Sequence, residues 1–533
     1  SLGNTISNNR DISFNGTFNL ERLYNNIPFL KKVHDKFNKD TRNTRNTAKP
    51  KLQKPKINNA TTKAEADAQA KKKALPSNKK GFEKEITLMP DSIISVNHSR
   101  KTKRIIVSAK YPDGKAFPIK YKVRDDNTIR ILNKVDSAMN VKVSVIAKEP
   151  LDEKNWYKAL QFTSRMLMSL RNIRISYQNR QTLNLAGFMP MAGDAFGQRR
   201  DNGYLAPGLG FAFGTEGEEF IERARRNEWL LFNDSVATPA TVSKSEDLQL
   251  MITLEPWKNF KIDLNASRSM TRAKSIQYMY VGTPTTQTGT FSMTTISIKT
   301  AFEARGNANN GYYSRAFERF CKSLPEFYSR VERQYEGAIY PAGSPLEGKP
   351  YKAENGALGK YSADVLIPAF LNTYTQMPGK GLDIFPALTK LLPNWTVKFS
   401  GISRLPWFRD HFKSVNLNHS YKSIYAIGSY SSFSTYQEFM NGLGFITDAT
   451  TGMPVPNSMY NVPMVSINES FSPLIGLDFT FMNNMTLKAE YRSTRVLSLS
   501  TTSVQINETS SRDIVLGWSY KWQNFRLFGG RNH

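Results

Sequence analysis

The fold is decided by a stretch that reads LDFTFMNNMTLKAEYR at residues 477–492. Apolar and polar side chains alternate on both sides of Asn483 and Asn484, and asparagine tolerates the positive φ that a tight turn requires. A period of two places the apolar side chains on one face of a strand and the polar side chains on the other. The alternation extends over 465–522, whereas a typical strand has about 5–6 residues. The sequence therefore predicts antiparallel strands of unusual length.

The two faces of these strands differ in chemistry, and the difference indicates what each face contacts. The apolar face is predicted to contact lipid through Leu477, Phe479, Leu487, Tyr491, Ile514 and Leu516. The charged face is predicted to line a water-filled lumen through Asp478, Lys488, Glu490 and Arg492. Long strands, tight turns and this alternation are typical of a transmembrane β-barrel. The alternative is a large soluble antiparallel sheet with one face packed on a core.

Length and composition narrow the class of protein. The chain has 533 residues, a formal net charge of +28 and a single cysteine, Cys321. One cysteine excludes a disulfide framework and a thiolate metal site. No apolar run approaches the roughly 18–20 residues of a membrane helix, and the mean hydropathy of −0.48 suits a barrel in which only alternate residues face lipid. The chain begins at Ser1 without a signal peptide, so we expect it to be an internal piece of a longer protein.

Composition and periodicity together divide the chain into segments with different properties. We predict a barrel strand at 1–24, a basic flexible linker at 25–84, a small periplasmic β-domain at 85–150, barrel strands at 151–303 with a long loop at 189–246, a helical insert at 304–392 and barrel strands at 393–533. The linker is rich in Lys, Asn, Thr and Ala, and it has too few large apolar residues to form a core. Binding to anionic phosphates or lipid headgroups is its alternative role, but no aromatic residues are interleaved with its lysines for stacking on nucleic-acid bases.

Aromatic residues occupy two predicted corners between strands. Trp257, Trp407 and Phe408 suit the aromatic girdle that marks the interface of a membrane barrel, although core positions in a soluble sheet would also suit them. Strict up-and-down alternation of about ten predicted strands places the Trp407 corner on the opposite side of the sheet from Trp257. Barrels prefer all their short turns on one side. We therefore expect the strand count between Tyr280 and Trp395 to be wrong by one.

The chain contains the stretches NTISNNR at 4–10, YNNIPFLKKV at 24–33, LNLAGF at 183–188, DVLIPAF at 364–370, LPNW at 392–395 and LPWF at 405–408. Together these stretches resemble the SprA/Sov family, the giant outer-membrane translocons of the type IX secretion system. The resemblance implies an all-β fold with helical loop insertions, in which this chain is an arc of a very large barrel in the bacterial outer membrane. It implies that folded cargo with a C-terminal targeting domain crosses through the pore. It also implies two partners, a periplasmic plug protein and a smaller outer-membrane barrel that receives cargo, without assigning contact residues to either.

The sequence contains no pattern that predicts catalysis. The five histidines show no metal-ligand spacing, and neither a Gly-x-Ser-x-Gly elbow nor a phosphate-binding glycine loop is present. We therefore expect no enzyme, no cofactor and no metal. Two other functions remain open. One is a porin or a nutrient transporter of the TonB-dependent type, and the other is a soluble, basic, nucleic-acid-binding β protein.

Overall fold

The computed structural model describes residues 4–34, 81–90, 93–133, 135–147, 155–231, 238–278, 285–352, 358–377, 379, 381–440 and 443–521. These residues belong to two compact units. The larger unit comprises Ser1–Asn26 and Met168–His533, and the smaller unit comprises Ile27–Leu167. The fold is mostly β-strand with fewer helices, as the sequence predicted.

The bounds of the regular elements are as follows. In chain order the strands are β1 (Asn4–Asn19), β2 (Phe82–Leu88), β3 (Ile94–Asn97), β4 (Ile105–Lys110), β5 (Ala116–Phe117), β6 (Tyr121–Val123), β7 (Thr128–Ile131), β8 (Met139–Ala147), β9 (Leu170–Phe188), β10 (Arg199–Asp201), β11 (Tyr204–Ala206), β12 (Ala240–Trp257), β13 (Phe260–Ile276), β14 (Thr286–Thr294), β15 (Asn394–Phe399), β16 (Phe412–Ser432), β17 (Gln437–Met440), β18 (Leu443–Thr447), β19 (Pro454–Asn457), β20 (Tyr460–Asn461), β21 (Met464–Phe481), β22 (Met485–Ser500) and β23 (Gln505–Tyr520). The α-helices are α1 (Leu20–Asn26), α2 (Asn155–Leu167), α3 (Leu209–Ala212), α4 (Glu218–Arg226), α5 (Ile298–Ala301), α6 (Arg315–Gln334), α7 (Ala363–Tyr374) and α8 (Pro406–His411).

The larger unit is built on one antiparallel sheet of eleven strands. Its neighbours follow the order β1-β9-β12-β13-β14-β16-β21-β22-β23, with β15 between β13 and β16 and the short β20 beside β16. Hairpin turns join β12 to β13 and β21 to β22. Asn259 and Asn484 lie in these two turns with φ of 65° and 64°, so the turn chemistry predicted for the Asn483-Asn484 pair is correct. The prediction of long strands is also correct, because β21 alone has 18 residues.

One strand position of the sheet is shared by two separate segments of the chain. Strands β14 and β15 both lie antiparallel to β13 and β16, with β14 along one half of those strands and β15 along the other. Side chains complete the hydrogen bonding at the break. Thr294 Oγ1 accepts from the Ser267 N–H at 3.1 Å, and Asn394 Oδ1 accepts from the Ser423 N–H at 2.8 Å. Residues 295–393, which we call the insert, therefore interrupt a single strand.

This split corrects the predicted order of strands. Counting β14 and β15 as one strand position places the Trp407 corner at the same end of the sheet as Trp257. The predicted number of strands was therefore one too high in this region, which is the error of one expected between Tyr280 and Trp395. The register agrees, because Phe260 beside Trp257 pairs with Phe399, and Phe399 pairs with Leu417 near the start of β16. We call this the short-turn end of the sheet. The sequence count failed because the two halves of one strand are separated by the whole insert.

The predicted helices of the insert are present. α6 and α7 lie within the predicted helical segment at 304–392, and each contains a proline, Pro325 and Pro368. Their apolar residues form one large core with β13, β14, β16, β21 and β22. Among the described residues, no helix is long and apolar enough to cross a membrane.

Several predicted segment boundaries differ from the structure. The strand predicted at 1–24 ends at Asn19, where α1 begins. The loop predicted at 189–246 contains the helices α3 and α4 and ends earlier, because β12 starts at Ala240. Of the linker predicted at 25–84, residues 28–34 are helical and β2 already begins at Phe82, while 35–80 lie outside the described residues. The strands predicted at 151–303 are preceded by α2.

The smaller unit contains two short antiparallel sheets. Strands β2, β8, β4 and β5 form one, and β3, β7 and β6 form the other. Both contribute to one apolar core, in which Ile129, Val143 and Val145 are fully buried. His98 is also buried, and its Nδ1 accepts from the Arg100 N–H at 3.2 Å. These strands correspond to the β-domain predicted at 85–150.

Candidate functional site

The large sheet has one face composed almost entirely of hydrophilic side chains, which we call the polar face. Its chemistry is clearest in a row of residues paired directly across nine strands. The row consists of Ser13, Gln178, Asp247, Ser269, Ser292, Ala426, Ser466, Ser498 and Asn507. Eight of these nine residues are polar, and Ala426 is the exception. Their hydroxyl, amide and carboxylate groups need water or hydrogen-bonding partners. The polar face therefore suits an aqueous environment over the whole width of the sheet.

The predicted lumen residues belong to the polar face. Asp478 pairs with Lys488 across β21 and β22, and Arg492 pairs with Asp513 across β22 and β23. The Glu490 carboxylate forms ion pairs with Lys488, at 2.7 Å, and with Arg492. Charges of both signs thus lie side by side, and the structure brings the four predicted residues together on one face.

The opposite face carries a band of apolar side chains near the short-turn end. One directly paired row consists of Phe260, Phe399, Leu417, Leu477, Ala489 and Leu516. A second row consists of Phe18, Ile173, Ile252, Leu264 and Trp395. The remaining residues predicted to face lipid, Phe479, Leu487, Tyr491 and Ile514, share this face. We call these residues together the apolar belt.

The apolar belt is not covered by the described parts of the chain. None of the residues in its two rows is buried. At the two edges of the sheet the exposure is large, with Phe18 52% exposed and Leu516 73% exposed. A continuous apolar surface of this extent on a soluble monomer would be unusual and marks a contact with a partner or a membrane.

The same face is covered beyond the belt. Strand β22 shows how the coverage of this face changes along one strand. Its pairing with β23 is regular throughout, so its odd-numbered residues all lie on one face. Leu487 and Tyr491 lie in the belt, whereas Leu497 and Leu499 are buried in the core formed with α6 and α7. At the β9 and β12 side, Leu183 and Val242 are buried beneath α3 and α4 in the same way. The insert and the 189–239 loop therefore cover one half of this face and leave the belt uncovered.

A buried ionic cluster lies where the covered half begins. The Glu469 carboxylate accepts from the Arg495 guanidinium at 2.6 Å, from the Ser297 hydroxyl at 2.7 Å and from the Tyr421 hydroxyl at 2.8 Å. Arg495 also donates to the Thr300 carbonyl at 2.9 Å. Ser297 and Thr300 belong to the insert, and the other three residues belong to β16, β21 and β22. The cluster therefore fastens the insert to three strands.

Sequence analysis missed this cluster, although a signal for it was present. Glu469 follows Val465 and Ile467 at the same parity, and Arg495 precedes Leu497 at the same parity. A charge of each sign at apolar positions of neighbouring strands predicts a buried pair. The signal was not used because it requires the register between β21 and β22.

Aromatic side chains cluster at the short-turn end. Trp257 lies 5.4 Å from Phe260, whose ring lies 6.0 Å from Phe399. On α8, Trp407 lies 4.9 Å from Phe408. Both tryptophans are exposed. The three predicted corner aromatics therefore border the apolar belt at one and the same end of the sheet.

No other constellation in the described ranges has the character of a reactive site. No group of three or more His, Cys, Asp or Glu side chains among them could hold a metal ion. Comparison with protein-family models finds no match, and comparison with curated proteins finds none either. The two faces of the large sheet are accordingly the candidate functional surfaces.

Proposed function

We propose that the large sheet is an arc of the wall of a very large transmembrane β-barrel in a bacterial outer membrane. One observation carries this proposal: an uncovered apolar belt lies directly behind a continuous polar face. In a membrane barrel the outward side chains contact lipid and the inward side chains contact water. A soluble sheet would cover its apolar face with a core, as the insert does over the other half.

The height of the belt supports the same proposal. On β22 the belt corresponds to Met485 to Ser493, roughly nine residues, which is the length that a tilted transmembrane strand needs. Exposed tryptophans at the short-turn end fit the interfacial position of an aromatic girdle. Short turns join β12 to β13 and β21 to β22 at one end of the sheet, and long loops follow β9 and β16 at the other end, which is typical of outer-membrane barrels. By this arrangement the short-turn end is on the periplasmic side. The proposed place of the small β-domain is also the periplasm, as the family resemblance implies.

We further propose that the barrel is a protein-conducting channel of the type IX secretion system. The resemblance to the SprA/Sov family supports this step. The chemistry of the polar face is compatible with it, because serine, asparagine and paired opposite charges offer weak contacts to cargo of either net charge. The proposed partners are a periplasmic plug protein, a smaller outer-membrane barrel, secreted cargo and outer-membrane lipid. No catalytic residue is required of a conduit.

Fractionation of cells that make the full-length parent chain tests the proposal. We expect the protein in the outer membrane, soluble only in detergent, and we expect a pull-down from that membrane to recover a second barrel and secreted cargo. Recovery in the outer membrane with neither, together with uptake of a small solute, would replace the translocon by a porin or nutrient transporter. Recovery as a soluble protein that carries nucleic acid would refute the barrel itself.

A further inference from the structure

Helix α2 in the smaller unit presents apolar side chains to the surface and buries polar ones. Trp156 and Leu167 are 59% and 74% exposed, whereas Gln161 is 8% exposed and Ser164 is also buried. A surface helix of a soluble domain normally has the opposite arrangement, with its apolar stripe facing the core. The described residues leave this apolar side of α2 uncovered, so it favours an apolar environment.

The exposed side of α2 forms one continuous arc. With 3.6 residues per turn, eight neighbouring positions around the helix contain no charged residue. They are Asn155, Trp156, Ala159, Leu160, Phe162, Thr163, Met166 and Leu167, and all eight are exposed. The other side carries Tyr157, whose ring lies 6.0 Å from that of Phe29. Packing on that side fixes the rotation of the helix, so the apolar arc is not turned inward.

The chemistry of the arc and its place in the chain indicate a lipid surface. Tryptophan, phenylalanine, leucine and methionine beside the exposed Lys158 are typical of a helix that lies in a membrane interface. In the sequence only Met168 and Ser169 separate α2 from β9. Strand β9 begins at the short-turn end, where its Asn172 pairs with Asn19, and one residue later Ile173 belongs to the apolar belt. In the sequence, five residues therefore separate the end of α2 from the first belt residue of β9.

We infer that α2 is an interfacial helix, which lies in the periplasmic surface of the outer membrane with its apolar arc in the phospholipid. Helices of this kind insert ~5–10 Å into the boundary between headgroups and acyl chains. The inference rests on the proposed function, because it takes the apolar belt to be in the bilayer. It assigns a peripheral membrane contact to the smaller unit, in addition to that of the apolar belt.

Site-specific fluorescence in lipid nanodiscs tests this inference on the full chain. Cys321→Ser removes the single cysteine, and Phe162→Cys then allows an environment-sensitive dye to be attached to the arc. Matched variants place the dye on the apolar belt (Leu487→Cys) and on an exposed loop of the smaller unit (Lys115→Cys). The nanodiscs contain phosphatidylethanolamine and phosphatidylglycerol, with or without a lipid that carries a nitroxide near its headgroup. Iodide serves as the aqueous quencher.

The inference predicts a blue-shifted emission at position 162, a loss of intensity with the nitroxide lipid and protection from iodide. The dye at position 115 should show the reverse. A dye at position 162 that iodide quenches as strongly as the one at 115 would overturn the inference. A dye at position 162 with blue-shifted emission that the nitroxide lipid does not quench would also overturn the inference, because the apolar arc of α2 would then contact protein. The dye at position 487 separates the inference about α2 from the proposed membrane barrel. If the nitroxide lipid does not quench this dye, the membrane barrel itself is refuted.

Discussion

At the scale of single residues, the most consequential contact is the buried pair of Glu469 and Arg495. A buried ion pair contributes little net stability compared with an apolar pair, but removal of one partner leaves an uncompensated charge. Here the pair also holds Ser297 and the Thr300 carbonyl of the insert. The stability of the insert on the sheet therefore depends on both charges being present.

We expect Glu469→Gln to lower the free energy of unfolding by about 3–5 kcal/mol, because the Arg495 guanidinium would remain buried without a carboxylate. Urea unfolding in detergent, followed by tryptophan fluorescence, measures the change. Asp513→Asn is the control, since it converts an exposed carboxylate of the polar face into an amide. Equal losses from the two substitutions would contradict the anchoring role.

A second prediction at this scale concerns His98 in the smaller unit. Burial lowers the pKa of His98, partly opposed by the nearby Asp125 carboxylate. A lowered folded-state pKa means that the neutral ring stabilises the fold above the ordinary histidine pKa, and that this contribution is lost as the pH falls through the folded-state value. We expect His98→Asn, which keeps an acceptor for the Arg100 N–H, to reduce the loss of stability below about pH 6.5. Hydrogen exchange of β3 and β7 against pH measures it, and an unchanged pH dependence would count against the assignment.

At the scale of elements, each long strand has two faces and two halves. Strand β12 illustrates the faces, because Ile252 lies in the apolar belt and its neighbour Met251 lies on the polar face. The face on which a side chain lies is set by whether its position is odd or even along the strand, and not by its residue type. Strand β22 illustrates the halves, with one end in the belt and the other beneath the insert.

Lysine substitutions at adjacent positions separate the two faces. Ile252→Lys should reduce the amount of folded protein in the outer membrane, because a lysine on the lipid face of a barrel costs about 2–4 kcal/mol near the bilayer centre. Met251→Lys removes a similar apolar side chain one residue away and should leave assembly unchanged. Heat-modifiable mobility on gels of isolated membranes measures the folded fraction. Equal assembly of both variants would argue against lipid contact at the belt.

Much of the large sheet was predictable at the element scale, and the reasons are physical. The 477–492 hairpin specifies its own turn and its two faces. The ten residues assigned to lipid or lumen, with Ile514 and Leu516 on β23, lie on the two opposite faces of the sheet. Strand β15 has only six residues, too few for a convincing period, and its other half lies before the insert. The burial of Leu497 and Leu499 was not predictable, because it depends on α6 and α7, which are distant in sequence.

At the scale of the whole molecule, the polar face acts as a single electrostatic surface. Arg174 and Lys422 lie on it, on β9 and β16, in addition to the charged residues of the β21–β22 hairpin. Neither contributes to the apolar belt or to the buried cluster. In the proposed channel we therefore expect their charges to act on what passes along the sheet and not on how the sheet is held together.

Reversing both charges, in the double variant Arg174→Glu and Lys422→Glu, should shift the ion selectivity of the open channel towards cations. The cause is the added negative potential along the wall. Reversal potentials in planar bilayers measure the shift. The reversal Lys115→Glu in the smaller unit serves as the control. An unchanged selectivity in the double variant would indicate that the polar face does not line the conducting path.

The split strand has a consequence for how such a wall could be altered. Its two halves keep their register with β13 and β16 independently, and the side chains of Thr294 and Asn394 seal the junction. A folded segment of about a hundred residues is therefore inserted at this junction, and the register of the neighbouring strands β13 and β16 is kept. We expect that a different module, grafted between the same two end residues, would change the covered half of the sheet and leave its polar face as it is.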